Sequence, residues 1–200
     1  MIELYAITDH PTPLLPDVAP LRLLAAGALA AVYAPAGNGA VSPDVLWRHE
    51  AVVEALMKER DVLPVRYGTR FENEGAAADA IASRRADLAA ALDRVRGAVE
   101  LSLRALDPEA PRPDDGADYL WAQRRRQQAR RSLHGPLAAI ARAAAERPPR
   151  PPTEVLRAAY LVDRDAVARV TGLVERLQAA NPNLRLLCTG PWPAYSFAEA

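Results

Sequence analysis

In MIELYAIT, Ile2, Leu4 and Ala6 alternate against Glu3, Tyr5 and Ile7, the period of two that predicts a β-strand. DHPTPLLPDVAP breaks it with prolines. The run LLAAGALAAVYAPA (23–36) is apolar almost throughout, and Val32 and Tyr33 just before Pro35 predict a buried strand at its end. A helix start follows: Ser42 offers a cap, Pro43 suits the first helical position, and Asp44 favours the positive end of the dipole. Val45, Leu46, His49, Val52, Val53, Leu56 and Met57 then share one helical face. VLPVRYGTRF (62–71) predicts a strand ending at Gly68. A second amphipathic helix, striped by Ala77, Ile81, Leu88, Leu92 and Val95, follows to about Val95.

Gly97 punctuates the pattern. In AVELSLRAL, Val99, Leu101, Leu103 and Ala105 point one way and Glu100, Ser102 and Arg104 the other, a strand again. After the turn-rich DPEAPRPDDGAD, Asp118 is placed to cap a helix through YLWAQRRRQQARR, which His134, Gly135 and Pro136 interrupt before LAAIARAAAE resumes it. RPPRPP (147–152) lacks the amide donors of a central strand. VLRAAYLV (155–162) predicts a strand. Asp163 or Asp165 would cap a helix carrying Ala166, Val170, Leu173, Val174 and Leu177, Asn181 and Pro182 would stop it, and LRLLCT forms a last strand. The fold class is therefore α+β. Residues 1–95 form an N-terminal α+β domain and 96–189 a modified ferredoxin-like domain, with a helical extension over about 117–146 and a degraded second strand. Residues 190–200 form an aromatic tail.

Composition narrows the function classes. With 25 basic and 25 acidic residues the formal charge is zero, so no global field recruits nucleic acid or an anionic membrane. One cysteine, Cys188, excludes an intrachain disulfide framework and a Cys-rich zinc site, which fits a reducing cytoplasm. The first fifteen residues lack the basic start of a signal peptide, and the apolar runs are too short to span a bilayer.

No constellation with catalytic spacing emerges. WRHEAVVE puts His49 and Glu50 on a helix, but the position a second zinc-binding His would need is Val53, so His49 reads as a core residue. There is no G-x-S-x-G elbow, Cys188 shares a strand face with Leu184 and Leu186, and GNGA and YGTR lack the phosphate-loop spacing. The chain is thus expected to be no enzyme and to hold no cofactor or metal. Arg124, Arg125, Arg126, Arg130 and Arg131 with Trp121 make a local cationic patch. It suits the rim of a contact with an acidic protein partner or, as the alternative function, nucleic acid bound by a ferredoxin-like module.

Three stretches read together, WRHEAVVEAL, VLPVRYGTRF and the terminal GPWPAYSF, resemble the gas vesicle protein L/F family. MIELYAIT, AAVYAP, GAVELSLRAL and the YL-W helix start (Tyr119 to Trp121) occur in the matching order. The resemblance implies a non-enzymatic, chaperone-like assembly factor, cytoplasmic and vesicle-associated. Its partners would be the small apolar shell subunit and other accessory proteins, and its tail would lie between two α+β domains. In that tail, Pro191 and Pro193 stiffen a segment presenting Trp192, Tyr195 and Phe197. Two roles suit it: a clasp within its own chain, the favoured one, set against the end of PVRYGT, or a hook for shell subunits.

Overall fold

A computed structural model describes residues 1–9, 20–37, 42–109, 116–150 and 153–198, with the side chains of 116–122 and 125 outside the description. The architecture is mixed α and β. It divides into two compact units, Met1–Ala98 together with the segment from Pro193, and Val99–Trp192.

The first unit is a five-stranded sheet in the order β2-β3-β1-β4, with β5 also on β1. β1 (Ile2–Asp9) runs antiparallel to β3 (Leu29–Pro35) on one side, and to the two-residue strands β4 (Leu63–Pro64) and β5 (Arg70–Phe71) on the other. β1 is buried on both faces, so its polar alternates are enclosed as well. The apolar run at 23–36 forms most of a hairpin, β2 (Arg22–Ala26) and β3, where only its final strand was predicted. Gly27, at φ +74°, makes the turn; the unbroken hydrophobicity on either side hides it from periodicity.

Helix α1 (Pro43–Glu59) starts as predicted. Ser42 Oγ accepts the Val45 amide, Pro43 stands in the first turn, and His49, Val52, Val53, Leu56 and Met57 are buried. Leu46, placed on that face by its spacing, is instead exposed. The second predicted helix is two, α2 (Glu74–Ser83), capped by Asn73, and α3 (Arg85–Val95), broken at Arg84. VLPVRYGTRF is no continuous strand. It leaves β1 after Pro64, turns at Gly68 (φ +85°) and rejoins β1 at Arg70.

The second unit runs strand, helix, strand, strand, helix, strand. These are β6 (Ala98–Leu106), α4 (Gly116–Ala138), β7 (Ala143–Glu146), β8 (Glu154–Asp163), α5 (Val167–Ala180) and β9 (Arg185–Trp192), in sheet order β7-β8-β6-β9. β7 corrects two expectations. AAAE is a strand paired with β8 from Ala143↔Leu161 to Glu146↔Ala158, not helix. The second strand slot is therefore filled just ahead of RPPRPP, which becomes the β7–β8 connection.

α4 is not interrupted at Gly135 and Pro136. Leu133 and Leu137 flank the proline one turn apart, both are fully buried, and their packing toward β8 outweighs the missing amide in the helix's final turn. Asp118 lies inside α4 and not at its cap. Asp163 pairs with Arg142, and a 3-10 turn (Arg164–Ala166) precedes α5, so neither Asp163 nor Asp165 caps that helix through its side chain.

Candidate functional site

The first unit contains an apolar cleft of about 460 Å³. Leu4 and Ile7 of β1, Leu63, Pro64, Val65 and Phe71 of the 62–71 motif, and Ala80, Ile81 and Leu88 of α2 and α3 line it. The exposed Arg66 and Arg84 also contribute to its lining. Tyr195 and Ala198 bring the tail to the same cleft. Two of the three stretches that carry the resemblance, VLPVRYGTRF and the terminal segment, thus contribute to one cleft.

The tail is seated in its own chain. Pro193 and Ala194 are buried and Phe197 is 7% exposed, in a 3-10 turn (Tyr195–Phe197) packed on α3. The turn is closed by the Phe197 amide donating to the Ala194 carbonyl at 3.1 Å. Arg94 Nη1 donates to the Phe197 carbonyl at 3.3 Å. The Tyr195 hydroxyl is buried, and Glu50 of α1 lies close enough to act on it. Burial first, then Glu50 and Glu54, push this phenol far above its usual range. Arg94 and Glu50 were missed from sequence because each sits on a helix face that reads as solvated.

Behind the cleft wall lies a buried polar cluster. Glu3, enclosed in β1, accepts the Gly68 amide at 3.3 Å through Oε1 and meets Arg70 Nη2 at 3.2 Å through Oε2. His49 Nε2 lies 2.8 Å from the Val65 carbonyl. The His49 ring stacks on Tyr5 with centroids 4.7 Å apart and meets the edge of Tyr67 at 5.6 Å. His49 is thus a core residue, as its helix position predicts. These contacts fix the Tyr67–Gly68 turn, and with it the wall formed by Val65, Arg66 and Thr69. The one sequence signal for Glu3 was a lone acid between Ile2 and Leu4 in a strand apolar on both faces.

The arginine patch belongs to the second unit. Along α4, Arg124 and Arg131 are exposed and Arg126 is half-buried; the side chains of Trp121 and Arg125 lie outside the described residues. Arg130 Nε donates to Glu146 Oε2 at 2.5 Å, a bond that raises the guanidinium's pKa and lowers that of the carboxyl. His134 Nδ1 lies 2.9 Å from the Tyr160 hydroxyl, tying the same helix to β8. Trp192 closes β9, where its indole donates to Thr189 Oγ1 at 3.2 Å. Of the contact residues chosen from sequence, Tyr195 and Phe197 belong to the first unit, and Trp192 and the arginines to the second. Among the described residues no group of three or more His, Cys, Asp or Glu could hold a metal, and no helix is long and apolar enough to cross a membrane.

Comparison with known proteins gives a concordant result. Residues 3–114 and 120–199 match the family described as gas vesicle synthesis protein GvpL/GvpF. Gas vesicle protein L of a Streptomyces species is 32% identical over 97% of this chain and 91% of its own length. Gas vesicle protein F2 of Halobacterium salinarum is 27% identical over 76% of this chain and 66% of its own. The crystal structure of the gas vesicle protein GvpF from Anabaena sp. PCC7120 superposes with a TM-score of 0.86, covering 100% of this chain and 96% of that one at 18% identity. GvpF from Microcystis aeruginosa gives 0.83, with 100% and 99% covered at 19% identity. These two likenesses, at low identity, speak for the fold. Because the family match spans nearly the whole sequence and the fold agrees along its length, the chain belongs to the GvpL/GvpF family of gas vesicle synthesis proteins.

Proposed function

We propose that this chain is a non-enzymatic assembly factor that engages the apolar shell subunit, or another accessory protein, while the gas vesicle shell is being formed in the cytoplasm. The observation carrying this reading is the cleft: an apolar floor with two arginines in its lining, walled by the PVRYGT segment and the tail. Such a combination suits a contact that shields an apolar segment while tolerating water at its edges. The element order of the second unit, with β8 and β6 central, supports reading that unit as a modified ferredoxin-like domain enlarged by α4. Its exposed arginines are the proposed rim for a second contact.

The burial of Phe197 favours the clasp over the hook, because an aromatic already enclosed offers little new surface to a partner. Co-purification with the major shell subunit tests both the function and the tail. A chain ended after Trp192 keeps β9 whole and removes only the seated tail. We expect this shortened chain to melt at a lower temperature and to capture less subunit, since the cleft loses the wall formed by Tyr195 and Ala198. Failure of the full chain to bind either the shell subunit or any co-expressed accessory protein rejects the reading. Replacing Arg124, Arg125 and Arg126 by Glu should weaken capture, and undiminished capture removes the rim from α4.

A further inference from the structure

His49 is 3% exposed, and its Nδ1 has no hydrogen-bond partner. Nε2 must carry the ring hydrogen to donate to the Val65 carbonyl, so Nδ1 is a bare lone pair. It faces Glu3 Oε1 at 3.8 Å. Two buried acceptors thus point at each other with no proton between them, while the same carboxylate oxygen holds the Gly68 amide.

We propose that His49 is a proton-operated release for the Tyr67–Gly68 turn: a proton taken up from solvent at Nδ1 draws Glu3 toward α1 and loosens its hold on Gly68, freeing the 65–71 segment that walls the cleft. As regulation of partner binding, this rests on the function proposed above. The movement required is small, about 1 Å, from the present separation to that of a charge-assisted hydrogen bond. It is a choice between two claims on one oxygen.

The surrounding groups set the direction. β1 contributes Glu3, which favours the imidazolium, and the stacked Tyr5 ring. The 65–71 segment contributes the Val65 carbonyl, Tyr67, and Arg70, whose guanidinium carbon lies 6.0 Å from the Tyr67 centroid. On α1 itself, Arg48 is close enough to act on Tyr5. Burial lowers the His49 pKa, opposed by the Val65 bond and Glu3. A lowered folded-state value means that the unfolded chain takes the proton first. The stabilisation is therefore complete above the ordinary 6.5 and is lost as pH falls below it.

Hydrogen–deuterium exchange on the full chain at about pH 7.5 and about pH 5.5, corrected for intrinsic rates, tests the release. His49→Gln is the control, since its amide keeps a donor for Val65 and takes up no proton. Protection across 65–71 should drop about tenfold in the unaltered chain at the lower pH and hold in the variant, with α5 unchanged in both. An equal drop in both chains, or none in the unaltered chain, overturns the proposal. Should the variant not fold, histidine nitrogen NMR of the unaltered chain decides. An Nε2–H tautomer whose protonation shifts the Gly68 amide supports the release, and an Nδ1–H tautomer or an unresponsive Gly68 overturns it. Shell-subunit capture at the two pH values separates this from the function itself. No capture of the shell subunit or of any co-expressed accessory protein at either pH rejects the assembly reading and leaves the release to the exchange data. Capture that ignores a loosened turn rejects the regulatory link.

Discussion

Phe197 is the residue on which the tail depends. It is enclosed near α3, and its carbonyl is held by Arg94. Phe197→Ala should cost the first unit about 3 kcal/mol in chemical denaturation, the range for losing a buried aromatic, whereas a partner hook would lose little stability and much binding. Gly190, where β9 nears its end, is constrained differently. A Cβ there would lie 2.7 Å from the Glu100 carbonyl oxygen at a φ of +116° that other residues avoid. Gly190→Ala should therefore destabilise the second unit by about 3 kcal/mol, seen as a lowered denaturation midpoint. At this scale the sequence is a good guide where chemistry is local: Ser42 and Asn73 cap because an oxygen three positions from an amide needs no distant partner. It is silent where a residue's role is set across the chain. Glu3 and His49 stand 46 positions apart in sequence and meet only because β1 and α1 pack together.

Elements show the same division. α1, β6 and α5 were legible because each carries its own period. β7 was not, because AAAE has no period to show and alanine favours helix. Its strand state is imposed by β8, whose edge would otherwise lie open. The cleft was half legible. The tail and the 62–71 motif stood out, but its other wall comes from α2 and α3, whose contribution is an ordinary apolar stripe. The β7–β8 connection also acquires a logic it lacked in sequence. Glu154, 2% exposed, accepts the Arg150 amide and the Arg104 guanidinium, each at 2.7 Å, and so ties Arg150 to the start of β8. Glu154→Gln keeps the shape but weakens both bonds; a loss of about 2 kcal/mol at neutral pH, with faster exchange at Arg150, is the expected outcome.

For the whole molecule, two of the buried groups, His49 in the first unit and Glu154 in the second, predict an acid transition in two stages. Burial alone would raise the Glu154 carboxyl, but the bonds from Arg104 and Arg150, with the charges of Arg104 and Arg157, outweigh it and hold the group below 4.5. A depressed carboxyl stabilises the fold above its ordinary value and ceases to do so as pH falls through the lowered one. His49 acts earlier, its contribution declining below 6.5. Exchange followed down the pH scale should find the first unit loosening before the second. His49→Gln should erase the early stage and Glu154→Gln should blunt the late one. Simultaneous loosening of both units would contradict the assignment.

The chain builds the first unit, leaves it for the second, and supplies the tail wall only from Pro193 onward. On a ribosome adding about 5 to 20 residues each second, roughly 5 to 20 s separate the emergence of α3 from that of Phe197. During that interval the nascent first unit presents an apolar hollow without its tail wall, open to whatever lies near the polysome. The time taken to synthesise the second unit therefore sets how long that hollow stays without its tail wall.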